Sequence, residues 1–271
     1  MRTRRTRFAV LGGVATLALT GCGSGADSAC VAKPGSAPGA IQADASCAVN
    51  TVIAVDATGA IADSALARDV SSTALRAAEQ TITSGGHLRM FVFAGDANAV
   101  EVIYDDDVQT LKQADETRRG PQEQALRNAL ATTLDSALGV TSDDPALRGR
   151  VRELTQGGTS DIARAVRNGL QSLTSRSGAK ALTLVSDGVQ ASDQLKLSSA
   201  VDAGGDPAKL GAELGDLIGS GGGVDVLQVA GLGRLPDRVN QSARRTDALV
   251  AIWKTACERS SAARCVTTTE L

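Results

Sequence analysis

From residue 51 onward the chain repeats one pattern: a short, almost wholly apolar run, a longer amphipathic stretch, then another apolar run. The runs at 51–55 and 181–185 hold Val, Leu, Ile and Ala with one Thr each, and 224–229 is mostly Val and Leu with Asp225 and Gln228 among them, so both faces of each must be largely covered. Strands of that kind separated by helical stretches fold as a parallel sheet with helices on both sides. The expectation is an α/β, doubly wound, mostly parallel sheet flanked by helices, forming a single domain over residues 49–271.

The stretches between the runs are specific enough to place. Residues 64–82 carry Leu66, Val70, Leu75, Ala78 and Ile82 at helical spacing and end at Gly85 and Gly86. Segments 87–93 and 100–104 read as paired strands around a turn at Gly95, Asp96, Ala97 and Asn98. Residues 107–154 read as mostly helix, with Pro121 and Pro145 each at a helix start. Further helices are expected at 161–173, 207–218 and 240–257, and an edge strand at 264–267. The acidic run Asp105, Asp106, Asp107 reads as a solvated loop and helix N-terminus. Trp253, the single tryptophan, reads as a packing anchor of the last helix.

The other end of the chain is of a different kind. Residues 1–7 hold Arg2, Arg4, Arg5 and Arg7, residues 8–20 are apolar but too few to span a bilayer, and Leu19-Thr20-Gly21-Cys22 follows. This segment resembles the lipobox signals of bacterial lipoproteins. The resemblance implies a signal peptide at 1–21, cleavage before Cys22, and acylation of the Cys22 thiol by a chain such as palmitate. The protein would then be exported and anchored by lipid to the outer face of the bacterial cell membrane. Residues 22–48 are rich in Gly, Ala, Ser and Pro and read as a flexible tether, spanning about 25 to 30 Å if unconstrained.

Losing the four arginines of the signal moves the formal charge from −2 to −6, a balance that argues against nucleic acid as a partner. With Cys22 assigned to lipid, Cys30, Cys47, Cys257 and Cys265 remain, an even set suited to two disulfides in an oxidising compartment. Proximity suggests Cys30 with Cys47 and Cys257 with Cys265, and three pairings are open. No CxxC pair supports a redox or zinc site.

Ligands of doubly wound sheets collect outside the carboxyl ends of the strands. Three polar clusters fall there: Asp56-Ala57-Thr58-Gly59-Ala60, Gly157-Gly158-Thr159-Ser160 and Ser186-Asp187-Gly188. Carboxylates and hydroxyls gathered at one rim are the donor set of a hard divalent cation.

In these motifs the chain resembles the von Willebrand factor A domain family, over roughly residues 51–268. That family builds a metal-ion-dependent adhesion site from a DxSxS loop, a Gly-x-Thr before a helix, and an Asp-Gly after the fourth strand. The resemblance assigns Asp56 and Thr58 to the first motif, Ser160 to the second with Thr159 as a register alternative, and Asp187 to the third. Ala60 departs from the family pattern, since a direct hydroxyl ligand is expected there. The implied cofactor is Mg²⁺ or Mn²⁺, and the implied partner is a protein with an exposed carboxylate.

Two alternatives accompany this reading. One is a metal-free interaction scaffold of the same fold. The other is a Mg²⁺-dependent phosphotransferase, because Asp56-Ala57-Thr58-Gly59 also looks like the DxTG loop of haloacid-dehalogenase-type enzymes, with Asp56 as nucleophile and Asp187 and Asp193 as the later acidic cluster. Lys180 precedes Asp187 rather than lying where that family's lysine does. The lone histidine, His87, reads as a strand-edge residue, and no GxSxG, HExxH or P-loop is present.

Overall fold

The computed structural model describes residues 30–44, 46–95, 99–108, 116–156, 160–220, 223–235 and 242–271. A short hairpin, β1 (Lys33–Pro34) and β2 (Ile41–Gln42), precedes β3 (Val49–Asp56), α1 (Ala57–Ala60), α2 (Ser64–Ser84), β4 (Gly86–Phe93) and β5 (Val100–Val108). Then come α3 (Glu116–Leu138), α4 (Pro145–Thr155), α5 (Ile162–Thr174), β6 (Ala179–Val185), α6 (Leu197–Asp202) and α7 (Pro207–Ile218). The chain closes with β7 (Val226–Ala230), α8 (Ala243–Arg259) and β8 (Arg264–Thr268).

Six strands form one sheet in the order β5-β4-β3-β6-β7-β8, parallel throughout except where β5 runs antiparallel to β4. Successive residues of the inner strands enter opposite cores, which explains their unbroken apolar character. Val52 and Ala54 of β3 pack with Leu182, Leu184, Val166, Leu214 and Trp253 on one face. Ile53 and Val55 pack with Met90, Ala74, Ala78 and Leu134 on the other. Burying both faces of a strand supplies the hydrophobic driving force that an isolated helix or hairpin lacks.

Helix boundaries follow side-chain caps. Asp63, Asp144, Asp161 and Asp206 each accept a backbone N–H in the first turn of α2, α4, α5 and α7. Pro145 sits at the first turn of α4, as expected. Pro121 does not start a helix: it lies inside α3, which begins at Glu116. Its missing amide costs one hydrogen bond near the start of a 23-residue helix, and packing of Leu130 and Leu134 on the sheet carries the rest.

The acidic run is a second correction. Asp105, Asp106 and Asp107 belong to β5, paired with Arg89, Leu88 and His87 of β4. An edge strand tolerates such charges because one side of it meets water, and here the neighbouring strand also supplies cations.

The tether is a third. Residues 30–44 and 46–48 are held against the domain by the Cys30–Cys47 disulfide, by burial of Ala32, Ile41 and Cys47, and by the β1–β2 hairpin, while residues 22–29 of the expected tether lie outside the described residues. Ala32 N–H donates to Asp225 Oδ2 at 3.1 Å, and Arg76 Nε donates to the Pro38 carbonyl at 2.9 Å. Gly and Pro here make tight turns, which composition does not distinguish from a flexible linker. The second disulfide, Cys257–Cys265, joins α8 to β8. Cys22 and the signal-like residues 1–21 lie outside the described residues, among which no helix is long and apolar enough to cross a membrane.

Candidate functional site

The chain leaves β3 outward through α2 to β4, and later enters β6 on the opposite side of β3. This reversal opens a crevice at the carboxyl ends of β3 and β6, where Asp56 ends one strand and Ser186 and Asp187 follow the other. Asp56 is only 7% exposed.

Both oxygens of Asp56 are engaged. Oδ1 accepts from the Thr58 amide at 2.9 Å and from Ser160 Oγ at 3.0 Å, and Oδ2 accepts from Ser186 Oγ at 2.9 Å. The Thr58 bond also caps α1, so the turn that ends the strand is made by the Asp56 carboxylate itself. Thr58 Oγ1 lies 2.5 Å from Ser160 Oγ. Since Ser160 gives its proton to Asp56, Thr58 is the donor in that pair.

Ser160 reaches this point because two loops hold its backbone. It forms an isolated parallel bridge with Gly95, the Asp161 amide donates to the Gly95 carbonyl at 3.0 Å, and the Ala191 amide donates to the Ser160 carbonyl at 2.8 Å. Gln190, fully buried, stitches the same corner: its Nε2 donates to Asp161 Oδ1 and its Oε1 accepts from the Ala163 amide. Ser160 is thereby placed on Asp56; its register alternative Thr159, with Gly157 and Gly158, lies outside the described residues.

Asp187 is held by its neighbours' backbone. The Val189 amide donates to its Oδ1 at 2.9 Å, and its carbonyl accepts from Gly233 N–H at 2.9 Å. Gly188 follows with φ +77, and a Cβ there would collide with Leu232 and the Trp253 indole. Trp253 Nε1 donates to the Gly188 carbonyl at 2.8 Å, so the packing anchor of α8 also fixes the loop that carries Asp187.

Electrostatics sets this pair apart. Burial, and then the charge of Asp56, push the Asp187 carboxyl up to about 7 from an ordinary 3.8, against smaller downward pulls from the Val189 amide and then Arg245. Burial also raises Asp56, opposed by its hydrogen bonds from Thr58, Ser186 and Ser160. Two carboxylates that resist being charged together form a place where added positive charge is stabilised. They line a cavity of about 30 Å³ with Gly59, Ala60, Ser186, Gly231, Arg234 and Leu271.

The donor set of Asp56, Thr58, Ser160, Ser186 and Asp187 is all oxygen, which fits a hard divalent ion and no softer one. Among the described residues, no three His, Cys, Asp or Glu are arranged to hold a metal ion by themselves, so hydroxyls are needed to complete any such set here. Ala60 lines the cavity with its methyl, where a hydroxyl would have been a further donor. Ser186, which the sequence places in the rim cluster but to which the family resemblance gives no role, bonds Asp56 directly; its signal is a hydroxyl directly after the apolar run of β6.

The phosphotransferase constellation does not assemble. Asp193 lines a separate cavity of about 670 Å³ with Asp161, Arg164 and Lys196, rather than the one holding Asp56 and Asp187. Lys180 pairs in register with Asn50 at the far end of β3, and its Nζ reaches the Thr174 carbonyl. His87 is a strand residue, as expected, with Nδ1 2.8 Å from Asp107 Oδ1 and Nε2 2.9 Å from Asp105 Oδ1.

No protein-family model matches the sequence, and no curated protein matches it. Among solved structures, the chain is similar to the open conformation of the pilus adhesin SpaC from Lactobacillus rhamnosus GG, at 11% identity and a TM-score of 0.39. That similarity covers 90% of this chain and 31% of the adhesin, so the chain spans about a third of the length of the protein it matches.

Proposed function

We propose that the chain is an exported, lipid-anchored protein-binding module of von Willebrand factor A type, whose binding rim is formed by Asp56, Thr58, Ser160 and Asp187. The observation that carries this reading is the carboxylate pair at the crevice between β3 and β6, buried Asp56 and half-buried Asp187, ringed by hydroxyls and raised in pKa by burial, Asp187 also by the charge of Asp56. These residues, with Ser186, would hold Mg²⁺ or Mn²⁺. A cation bound there would supply the local positive charge that a partner's carboxylate needs on an otherwise acidic domain. Two disulfides fit an oxidising compartment, and acylated Cys22 would provide the membrane attachment.

A metal-free scaffold of the same fold is the second reading, favoured by one observation: protein donors already engage both Asp56 oxygens. Thermal unfolding of the full chain in Mg²⁺, in Mn²⁺ and in chelator, for the wild type and Asp56→Ala, separates the two. An ion at about a hundred times its dissociation constant raises stability by about 2.7 kcal/mol. A midpoint increase that disappears in Asp56→Ala supports the cation site. Coincident curves for the wild type overturn it in favour of the metal-free scaffold.

A further inference from the structure

The last residues of the chain lie over the candidate site. At the end of β8 the Thr268 carbonyl accepts from the Gly231 amide at 3.0 Å and the Leu232 amide at 3.1 Å, both in the loop that follows β7. The Thr269 carbonyl accepts from Arg234 Nε at 2.9 Å. These bonds bring Leu271 back over Gly231, where its side chain packs on the Ala60, Val70 and Val185 core and lines the small cavity beside Asp56 and Asp187. Arg234 lines the same cavity and is itself exposed.

Size gives this contact a consequence. A cavity of about 30 Å³ has room for one or two waters, or for a single ion, and none for a side-chain carboxylate beside it. Of the residues that line it, Leu271 is held by the end of the chain and Arg234 is an exposed side chain, so they are the walls that can most readily give way to anything larger. The bonds holding residues 268–271 are few, and the outermost, from exposed Arg234, is the one most open to water.

We propose that residues 268–271 are a strap latched by Arg234 across the Asp56–Asp187 pair, and that a partner's carboxylate reaches the pair only when the strap lifts. The proposal rests on the reading of that pair as the binding site. It makes Arg234 and Leu271 the residues that regulate access without contributing a donor to the cation.

The test measures access directly, by carbodiimide-driven amidation of carboxylates with glycine ethyl ester on the full folded chain, read by peptide mass spectrometry. Arg234→Ala and Leu271→Ala are compared with the wild type. Asp225, at the opposite end of the sheet and bonded to the Ala32 and Lys180 amides, serves as the control. Labelling of Asp187 should rise by about fivefold in each variant, the effect of removing one hydrogen bond or one apolar contact from the closed state, while Asp225 stays unchanged. If Leu271→Ala raises Asp225 as well, that variant has loosened the whole fold, and Arg234→Ala alone decides. Unchanged Asp187 labelling in folded Arg234→Ala overturns the strap. A parallel arm in Mn²⁺ keeps the two readings apart. Protection of wild-type Asp187 by Mn²⁺ supports the cation site, whereas strap-dependent labelling indifferent to Mn²⁺ leaves the strap standing and removes the cation.

Discussion

Two clusters of carboxylates in this molecule have opposite chemistry. At the outer edge of the sheet, Asp105 and Asp107 face His87, Arg89 and Arg176, and the His87 hydrogen bond, with help from Arg176, holds Asp107 below the usual carboxylate range. Asp107 is 67% exposed, so water completes what the cations begin. In the crevice between β3 and β6, hydroxyls and amides bond Asp56 and Asp187, Arg234 lines the same cavity without forming an ion pair there among the described residues, the pull of Arg245 on Asp187 is small, and both carboxyls are raised. The first cluster is neutralised by its own fold. The second is left with more demand for positive charge, and that difference, more than the number of acids, is what makes it the candidate site.

The strongest way to break the comparison is to remove the frustration. In chelator, Asp187 takes up a proton on folding between its ordinary value of 3.8 and about 7, so stability should fall as pH rises through that window and level off above it. Asp187→Asn should flatten this dependence and raise stability at pH 7.5 by roughly 1 to 3 kcal/mol, measured by urea unfolding at several pH values. A variant that is less stable than wild type at pH 7.5 would mean that Asp187 is a structural anion. At the sheet edge the same kind of change should do little. Arg176→Ala removes one cation from exposed Asp107, and its urea midpoint should match that of wild type within error. A large loss there would show that the edge cluster, too, depends on scarce charge.

The layered fold was legible because the strands advertise themselves: residues 51–55 and 181–185 are apolar on both faces, and that pattern fits only a doubly covered sheet. Asp56, Ser160 and Asp187 were legible for the same reason, since motifs at strand ends fall at the carboxyl rim once the strands are known. What stayed hidden depends on contacts between distant segments. Asp105–Asp107 reads as loop until His87 and Arg89 are placed opposite it. Residues 30–48 read as linker until a disulfide and two buried apolar side chains, Ala32 and Ile41, pin them. The role of Leu271 beside Asp56 follows from the return of β8 alongside β7, which no local pattern announces.

Direct titration of Mn²⁺ into the full chain at pH 7.5, with free ion followed by electron paramagnetic resonance, tests the central claim most closely. The account predicts one saturable site in the wild type, loss of that site in Asp187→Asn, and tighter binding in Ala60→Ser, where a hydroxyl joins the cavity lined by both carboxylates. No saturation at millimolar Mn²⁺, or binding indifferent to both substitutions, would contradict it.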